Sequence, residues 1–354
     1  MTTPPEPRPL TASLPAHARR SRWTRPARPR DTFPPYRLAD PDLVGRAEAT
    51  TRKLRRIYHV AHANAWDGRE VLASLVDRHG GIHVPEDRRD ALARVCSVLL
   101  WGELAAWSIS ADIATKLDDC DAKMAASSQV FDDARHFYVL RDYLWQAGLD
   151  VPPLGGFSRQ LLVDLLETDN LLHKLVGMQL LVENTAIVLF RMLARARIEP
   201  VLSDLLPYYE RDEARHVGLG VLALPGILRE LSRRDAAALW LFQLRINLMM
   251  LAGGLTLRDA FETLGIDQAE MQRLGFRMQR QVYDDMREAL GGSAADGTRG
   301  LLRVGRAGQE RLNAFLFPRA PAEALPRWHL PALRAVIRAA RAGDRYLRRR
   351  APTA

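Results

Sequence analysis

Asp132-Asp133-Ala134-Arg135-His136 and Asp212-Glu213-Ala214-Arg215-His216 carry one acid-acid-Ala-Arg-His pattern twice, 80 residues apart. The same shift lays Glu103 on Glu183, so in each copy a lone Glu precedes the second carboxylate by 30 residues and the His by 33. With only nine histidines in 354 residues, two matched placements at fixed spacing point to an internal repeat rather than to composition.

The spacing has a geometric meaning. A carboxylate and a His three apart share one helix face. The lone Glu falls on the preceding helix, level with that pair if the turn lies midway between them. Both midpoints read as turns: Asp118-Asp119-Cys120-Asp121 in the first copy, Glu199-Pro200 in the second. Two such antiparallel hairpins packed together bring four carboxylates and two imidazoles to one level. The flanks of the lone acids are apolar: Leu99-Leu100 and Ala105-Ala106-Trp107 around Glu103, Leu180-Leu181-Val182 and Ile187-Val188-Leu189 around Glu183. Carboxylates buried there need compensating charge, which two divalent cations would supply, and imidazole with carboxylate suits iron or manganese.

Outward from the repeat, apolar periodicity predicts helices over about 41–63, 68–78, 86–116, 121–147, 158–198, 201–223, 233–263, 267–290 and 299–316. Gly80-Gly81, Gly148 to Gly156, Pro200, Pro225-Gly226 and Gly291-Gly292 punctuate them, and strand-like alternation is scarce. The fold class is all-α: a helical bundle over about 86–225, with flanking helices completing a domain of residues 41–317.

The formal charge of +9 is unevenly placed: residues 1–40 carry +5 and residues 318–354 carry +7, which leaves the body at −3. The Arg/Pro-rich N-terminal segment 1–40 and the basic segment 318–354 therefore read as tails, disordered or loosely wrapped, with docking to an acidic partner as the alternative. Nucleic acid is disfavoured, because aromatics do not alternate with the basic residues and no recognised motif is present. Two cysteines, Cys96 and Cys120, allow neither a disulfide framework nor a four-cysteine zinc site and suit a reducing cytoplasm. The most apolar run, Trp240 to Leu257, is broken by Gln243, Arg245 and Asn247 and reads as a buried helix rather than a membrane span. The arginines near the start are not followed by an apolar run of signal-peptide length.

The doubled acid-Asp/Glu-Ala-Arg-His pattern resembles the ferritin-like di-iron carboxylate oxygenases and oxidases. These include ribonucleotide reductase small subunits, bacterial multicomponent monooxygenase hydroxylases, acyl-carrier-protein desaturases and arylamine N-oxygenases. The resemblance covers about residues 86–225 and implies a ferritin-like four-helix bundle. It implies that Glu103, Asp133 and His136 bind one metal and Glu183, Glu213 and His216 the other, with Asp133, Glu183 or Glu213 free to bridge. Asp132 and Asp212 resemble acids that accept a hydrogen bond from a ligand His, the His from the opposite hairpin in each case, and Arg135 and Arg215 would pair with them.

No single branch of the superfamily fits throughout. Asp133 stands where most members have Glu. One turn after His136 is Leu140 rather than the tyrosine of a radical-generating reductase subunit. Tyr209 replaces the extra His of arylamine N-oxygenases, and Ile187 the Thr common in multicomponent hydroxylases. The expected cofactor is two iron ions, or a Mn/Fe pair. The expected activity is O2-dependent hydroxylation or N-oxygenation of a small organic substrate, as in a monooxygenase, with electrons from a ferredoxin or reductase. A homodimer is compatible with this reading. Iron storage or a metal-stabilised binding scaffold are the rivals, and the long segment beyond the bundle favours an enzyme over storage.

Overall fold

The computed structural model describes residues 49–289, 306–318 and 322–350. The N-terminal segment 1–40 lies outside them. Two helices lead in, α1 (Ala49–Ala63) and α2 (Gly68–His79), the latter capped by the Asp67 carboxylate and closed by Gly80 in the left-handed region.

The bundle follows: α3 (Arg89–Lys116), α4 (Cys120–Gln146), α5 (Gly156–Glu167), the short α6 (Leu171–Lys174), a π-helical segment Leu175–Val182, α7 (Glu183–Ala196) and α8 (Pro200–Arg229). α3 pairs with α4, α7 pairs with α8, and α4 meets α8 across the bundle. Both hairpin turns fall where the repeat places them. Asp119 caps α4 by accepting from Ala122 N, and Glu199 caps α8 by accepting from Val201 N and Leu202 N, with Pro200 in the first turn. Beyond the bundle lie α9 (Arg233–Thr256), α10 (Arg258–Thr263), α11 (Gln268–Ala289), α12 (Arg306–Leu316) and α13 (His329–Arg350). No strand occurs among the described residues.

Four expectations are corrected. The run 158–198 is not one helix: it breaks after Glu167, and the Asn170 side chain restarts it by accepting from Leu172 N and His173 N. The run 233–263 divides at Leu257. α8 continues through Pro225-Gly226 to Arg229, because Pro225 is buried and the packed face runs on to Leu228. The basic segment from 318 is not simply a tail. Leu333, Ile337, Ala340 and Asp344 recur at helical spacing beneath the arginines, and this stripe lays α13 on α5 and α9. Charge counting hid it.

By length and composition alone, three helices are long and apolar enough to cross a membrane: Glu86–Lys116, Leu171–Ala196 and Arg233–Thr256. In the first two, most of the apolar window (56% and 78%) is buried inside the fold, whereas in the third only 33% is. Trp240, Leu241 and Leu248 of that third helix are exposed.

Two apolar clusters fill the bundle. One gathers Ala105–Ile113 of α3 with Leu117 just beyond it, the start of α4 and Val217–Leu228 of α8; the other gathers Ala91–Leu99, the end of α4 and Val201–Tyr209. The repeated acids and histidines lie at the level between them.

Candidate metal centre

Glu103 from α3, Asp133 and His136 from α4, Glu183 at the first turn of α7, and Glu213 and His216 from α8 meet in the bundle interior, none more than 5% exposed. Their potential ligand atoms form two overlapping groups, within 4.8 Å in each: Glu103, Asp133, His136 and Glu213; and Asp133, Glu183, Glu213 and His216. Asp133 and Glu213 belong to both. Of the three carboxylates expected to be free to bridge, Asp133 and Glu213, one from each hairpin, lie in both groups, while Glu183 lies in one.

His136 Nδ1 stands 3.1 Å from Glu213 and 3.4 Å from Glu103, while His216 Nδ1 is 2.7 Å from Glu213 and 3.5 Å from Asp133. Both rings turn Nδ1 inward and Nε2 outward. His136 Nε2 lies 3.2 Å from Asp212 and His216 Nε2 3.4 Å from Asp132. Each acid meets the His of the other hairpin, as the repeat suggests. Arg135 Nη2 donates to both Asp132 and Asp212, and Arg215 Nη2 donates to the same two at 2.8 Å each. Two acids and two guanidiniums thus form a buried square that is neutral by itself. The fully buried Asp212 can remain charged there because four donors surround it.

The inner layer is the opposite case. Burial pushes the Asp133 carboxyl up to about 8, and burial together with the Glu213 charge raises Glu183 well above the carboxylate range. Burial also raises Glu103. For Glu213 burial works in the same direction, but His216, Glu183 and His136 overcome it and hold the group low. Burial disfavours both imidazolium forms, yet the surrounding carboxylates raise His136 well above its ordinary value and His216 to about 10. Four carboxylates converging this closely carry more negative charge than two imidazoles can offset. Asp133 Oδ1 and His136 Nδ1, both inside the ligand groups, are buried without a hydrogen-bond partner. Those atoms, the donor set and the charge excess fit two divalent metal ions.

Several contacts to the cluster have no part in the repeat. Ser110 Oγ donates to Asp133 Oδ2 at 2.8 Å, and Gln129 Nε2 donates to Glu183 Oε1 at 3.0 Å. Tyr209 stacks on His136, ring centroids 4.3 Å apart, and donates to its carbonyl at 2.8 Å. Trp66, from the α1–α2 connection, donates Nε1–H to Asp212 at 2.7 Å and lies under Arg135. Helical spacing could have found three of them. Ser110 is seven residues after Glu103, Gln129 four before Asp133, and Tyr209 four before Glu213. Nothing in the sequence near Trp66 marks it. His173 lies away from the centre, stacked on Phe242, and Cys96 sits in the apolar cluster with its thiol pushed up to about 12 by burial.

No family model and no curated protein sequence matches the chain. Among solved structures it is similar to a point variant of an R2-like ligand-binding oxidase with aerobically reconstituted Mn/Fe cofactor. The identity is 14%, the match covers 66% of this chain and 93% of that one, and the TM-score is 0.51. An R2-like ligand-binding oxidase with aerobically reconstituted metal cofactor after photoconversion matches at 15% identity over 68% and 94%, with a TM-score of 0.45. Fold and site together define the class: an all-α protein of the ferritin-like fold whose interior holds a carboxylate–histidine cluster suited to two metal ions. The likeness is one of fold.

Proposed function

We propose that this protein is a di-metal oxidoreductase that activates O2 to hydroxylate or N-oxygenate a small organic substrate, using an external electron donor such as a ferredoxin or reductase. The observation that carries the reading is the pair of overlapping ligand groups sharing Asp133 and Glu213, buried between two apolar clusters. Glu103 and His136 would hold one ion, Glu183 and His216 the other, with Asp133 and Glu213 available to both. Two iron ions, or manganese with iron, would supply the redox chemistry when bound.

The chain's own residues do the rest. Asp212 and Asp132 accept from the outer nitrogens of the histidines, which directs the inner nitrogens at the cluster and makes them better donors. The Arg135–Arg215 square keeps those acids ionised without adding net charge. Ser110 and Gln129 each hold one carboxylate oxygen of Asp133 and Glu183, limiting how those side chains turn. Apolar residues above and below exclude water, which strengthens every charge interaction inside.

The test begins with metal content. Protein produced with iron carries about two ions per chain, and Glu183→Ala carries fewer while its helical circular dichroism is retained. The chemically reduced wild type then consumes O2 in proportion to added substrate. Full metal occupancy in the variant would remove Glu183 from the centre. Accumulation of a mineral core, with no substrate-dependent O2 uptake, would instead establish the storage reading.

A further inference from the structure

A pocket of about 360 Å³ opens between α1, α8 and α11. Its wall is apolar, built from Ile57, Val60, Val217, Val221 and Leu222 around Gly218, while Lys53 and Arg56 stand at its rim with a single acid, Asp285. Arg215 also lines it. That side chain is nine-tenths buried, and although Nη2 serves Asp132 and Asp212, its Nε–H is buried without an acceptor. Lys53 and Arg56 make no ion pair among the described residues. Two unpaired cations at the rim of an apolar wall, with an unused Arg215 donor beside them, form a surface complementary to an organic anion. The pocket opens off the side of α8 turned away from Glu213 and His216, so an occupant would not touch the metal ligands.

We propose that this pocket binds a small organic anion, a carboxylate on an apolar ring or short chain, at a site apart from the metal centre. The acid group lies among Lys53, Arg56 and Arg215 Nε, and the apolar body rests on Ile57, Val60, Val217 and Val221. Arg215 also bonds the acids that face both histidines, but the binding itself does not rest on the di-metal reading.

Direct binding of three naphthalene probes of one shape and different charge tests this, followed by their own fluorescence. The protein binds 1-naphthoate saturably, and binds 1-naphthalenemethanol and 1-naphthylmethylamine at least about tenfold more weakly. Lys53→Glu with Arg56→Glu weakens naphthoate by about tenfold or more. Gly218→Phe, a helical position with negative φ where the new ring fills the pocket, abolishes binding while the circular dichroism stays that of the wild type. Glu183→Ala, which loses metal on the reading above, keeps naphthoate affinity. No saturable naphthoate signal, equal affinity for the alcohol, or undiminished binding in Gly218→Phe would each overturn the proposal. Loss of binding in Glu183→Ala would place the probe at the metal centre and overturn it too.

Discussion

Asp212→Asn keeps side-chain size and removes one negative charge from the buried square. Asp212 is fully buried and takes four hydrogen-bonding contacts, Trp66 Nε1 at 2.7 Å, Arg135 Nη2 and Arg215 Nη2 at 2.8 Å each, and His136 Nε2 at 3.2 Å, with Arg211 Nε further off at 3.6 Å. An asparagine accepts at one atom only. Its NH2 must then face at least one of these donors, and each guanidinium loses one of its two carboxylates, which leaves the square with a net positive charge. Removing one partner of a buried ion pair costs about 3–5 kcal/mol, because the other charge stays buried. A surface Asp would cost no more than about 0.5 kcal/mol. The effect on His136 is separate: losing the carboxylate acceptor should weaken metal binding by roughly 10–100-fold.

Urea unfolding of the metal-free protein reads the first quantity, and iron titration against a competing chelator reads the second. Trp66→Phe is the control, since it loses one neutral donor, about 1 kcal/mol, and leaves the ion pairs intact. A pH series adds a sign. Burial opposes the Asp212 charge, but His136, Trp66 and Arg215 together hold the group well below the carboxylate range. Its contribution is therefore present above the unfolded value near 3.9 and is lost as pH falls below it. The gap between wild type and variant should narrow in acid. A gap under about 1 kcal/mol at pH 7 with unchanged iron affinity would refute the square as a supporting element.

Metal binding at pH 7 should release protons, because metal-free Asp133 at about 8 and His216 at about 10 both hold one there. Calorimetric titrations in two buffers of different ionisation heat check this, and identical heats would contradict it. For the same reason the metal-free protein loses stability as pH rises from about 6.5 through 10, where the protons favouring the folded state leave, and the loaded protein does not; urea midpoints at pH 7 and 9 decide. His173, lowered to about 4 by burial, works in the other direction: its contribution to stability is lost as pH falls from about 6.5 to 4, where the unfolded chain takes up a proton that the folded one refuses. His173→Phe should therefore lose less stability than wild type between pH 7 and 4.5. Gly156→Ala should destabilise by about 1–3 kcal/mol without altering metal content, since its Cβ would fall 2.4 Å from Asp344 O and force α13 off α5; an unchanged urea midpoint would show that this contact is not held in solution.

Much of this arrangement is legible in the sequence because it repeats. The 80-residue offset marks Glu103 with Glu183 and the two acid-acid-Ala-Arg-His runs, and helix periodicity then dictates which side chains share a face. The turns at Asp119 and Glu199 follow from capping chemistry. Features carried by one copy are harder to see. Trp66 reaches Asp212 from 146 residues away, a contact made by tertiary packing alone. The α13 stripe lay under an excess of arginine. The π-helical segment before Glu183 has no counterpart before Glu103, where α3 is regular. Its residues, Leu175 to Val182, read as an ordinary apolar run; the wider turn is a backbone adjustment that periodicity does not encode.

That asymmetry bears on how the two halves divide their work. The outer square is built from matched residues of both copies and is neutral, so it gives no preference to either ion. The inner layer is where the copies differ: Asp133 against Glu213, Ser110 on one carboxylate and Gln129 on another, a regular helix behind Glu103 and a π-helical one behind Glu183. Asp133 is one methylene shorter than Glu213 and is held by a hydroxyl, so it has less reach to change partners. Glu183 has the longer side chain, and the segment before it departs from regular α-helical hydrogen bonding. In the metal-free protein protons on Asp133, Glu183 and the two histidines offset the charge that two cations would offset when bound. Protons and metals therefore compete for the same atoms within a fold whose outer layer need not change.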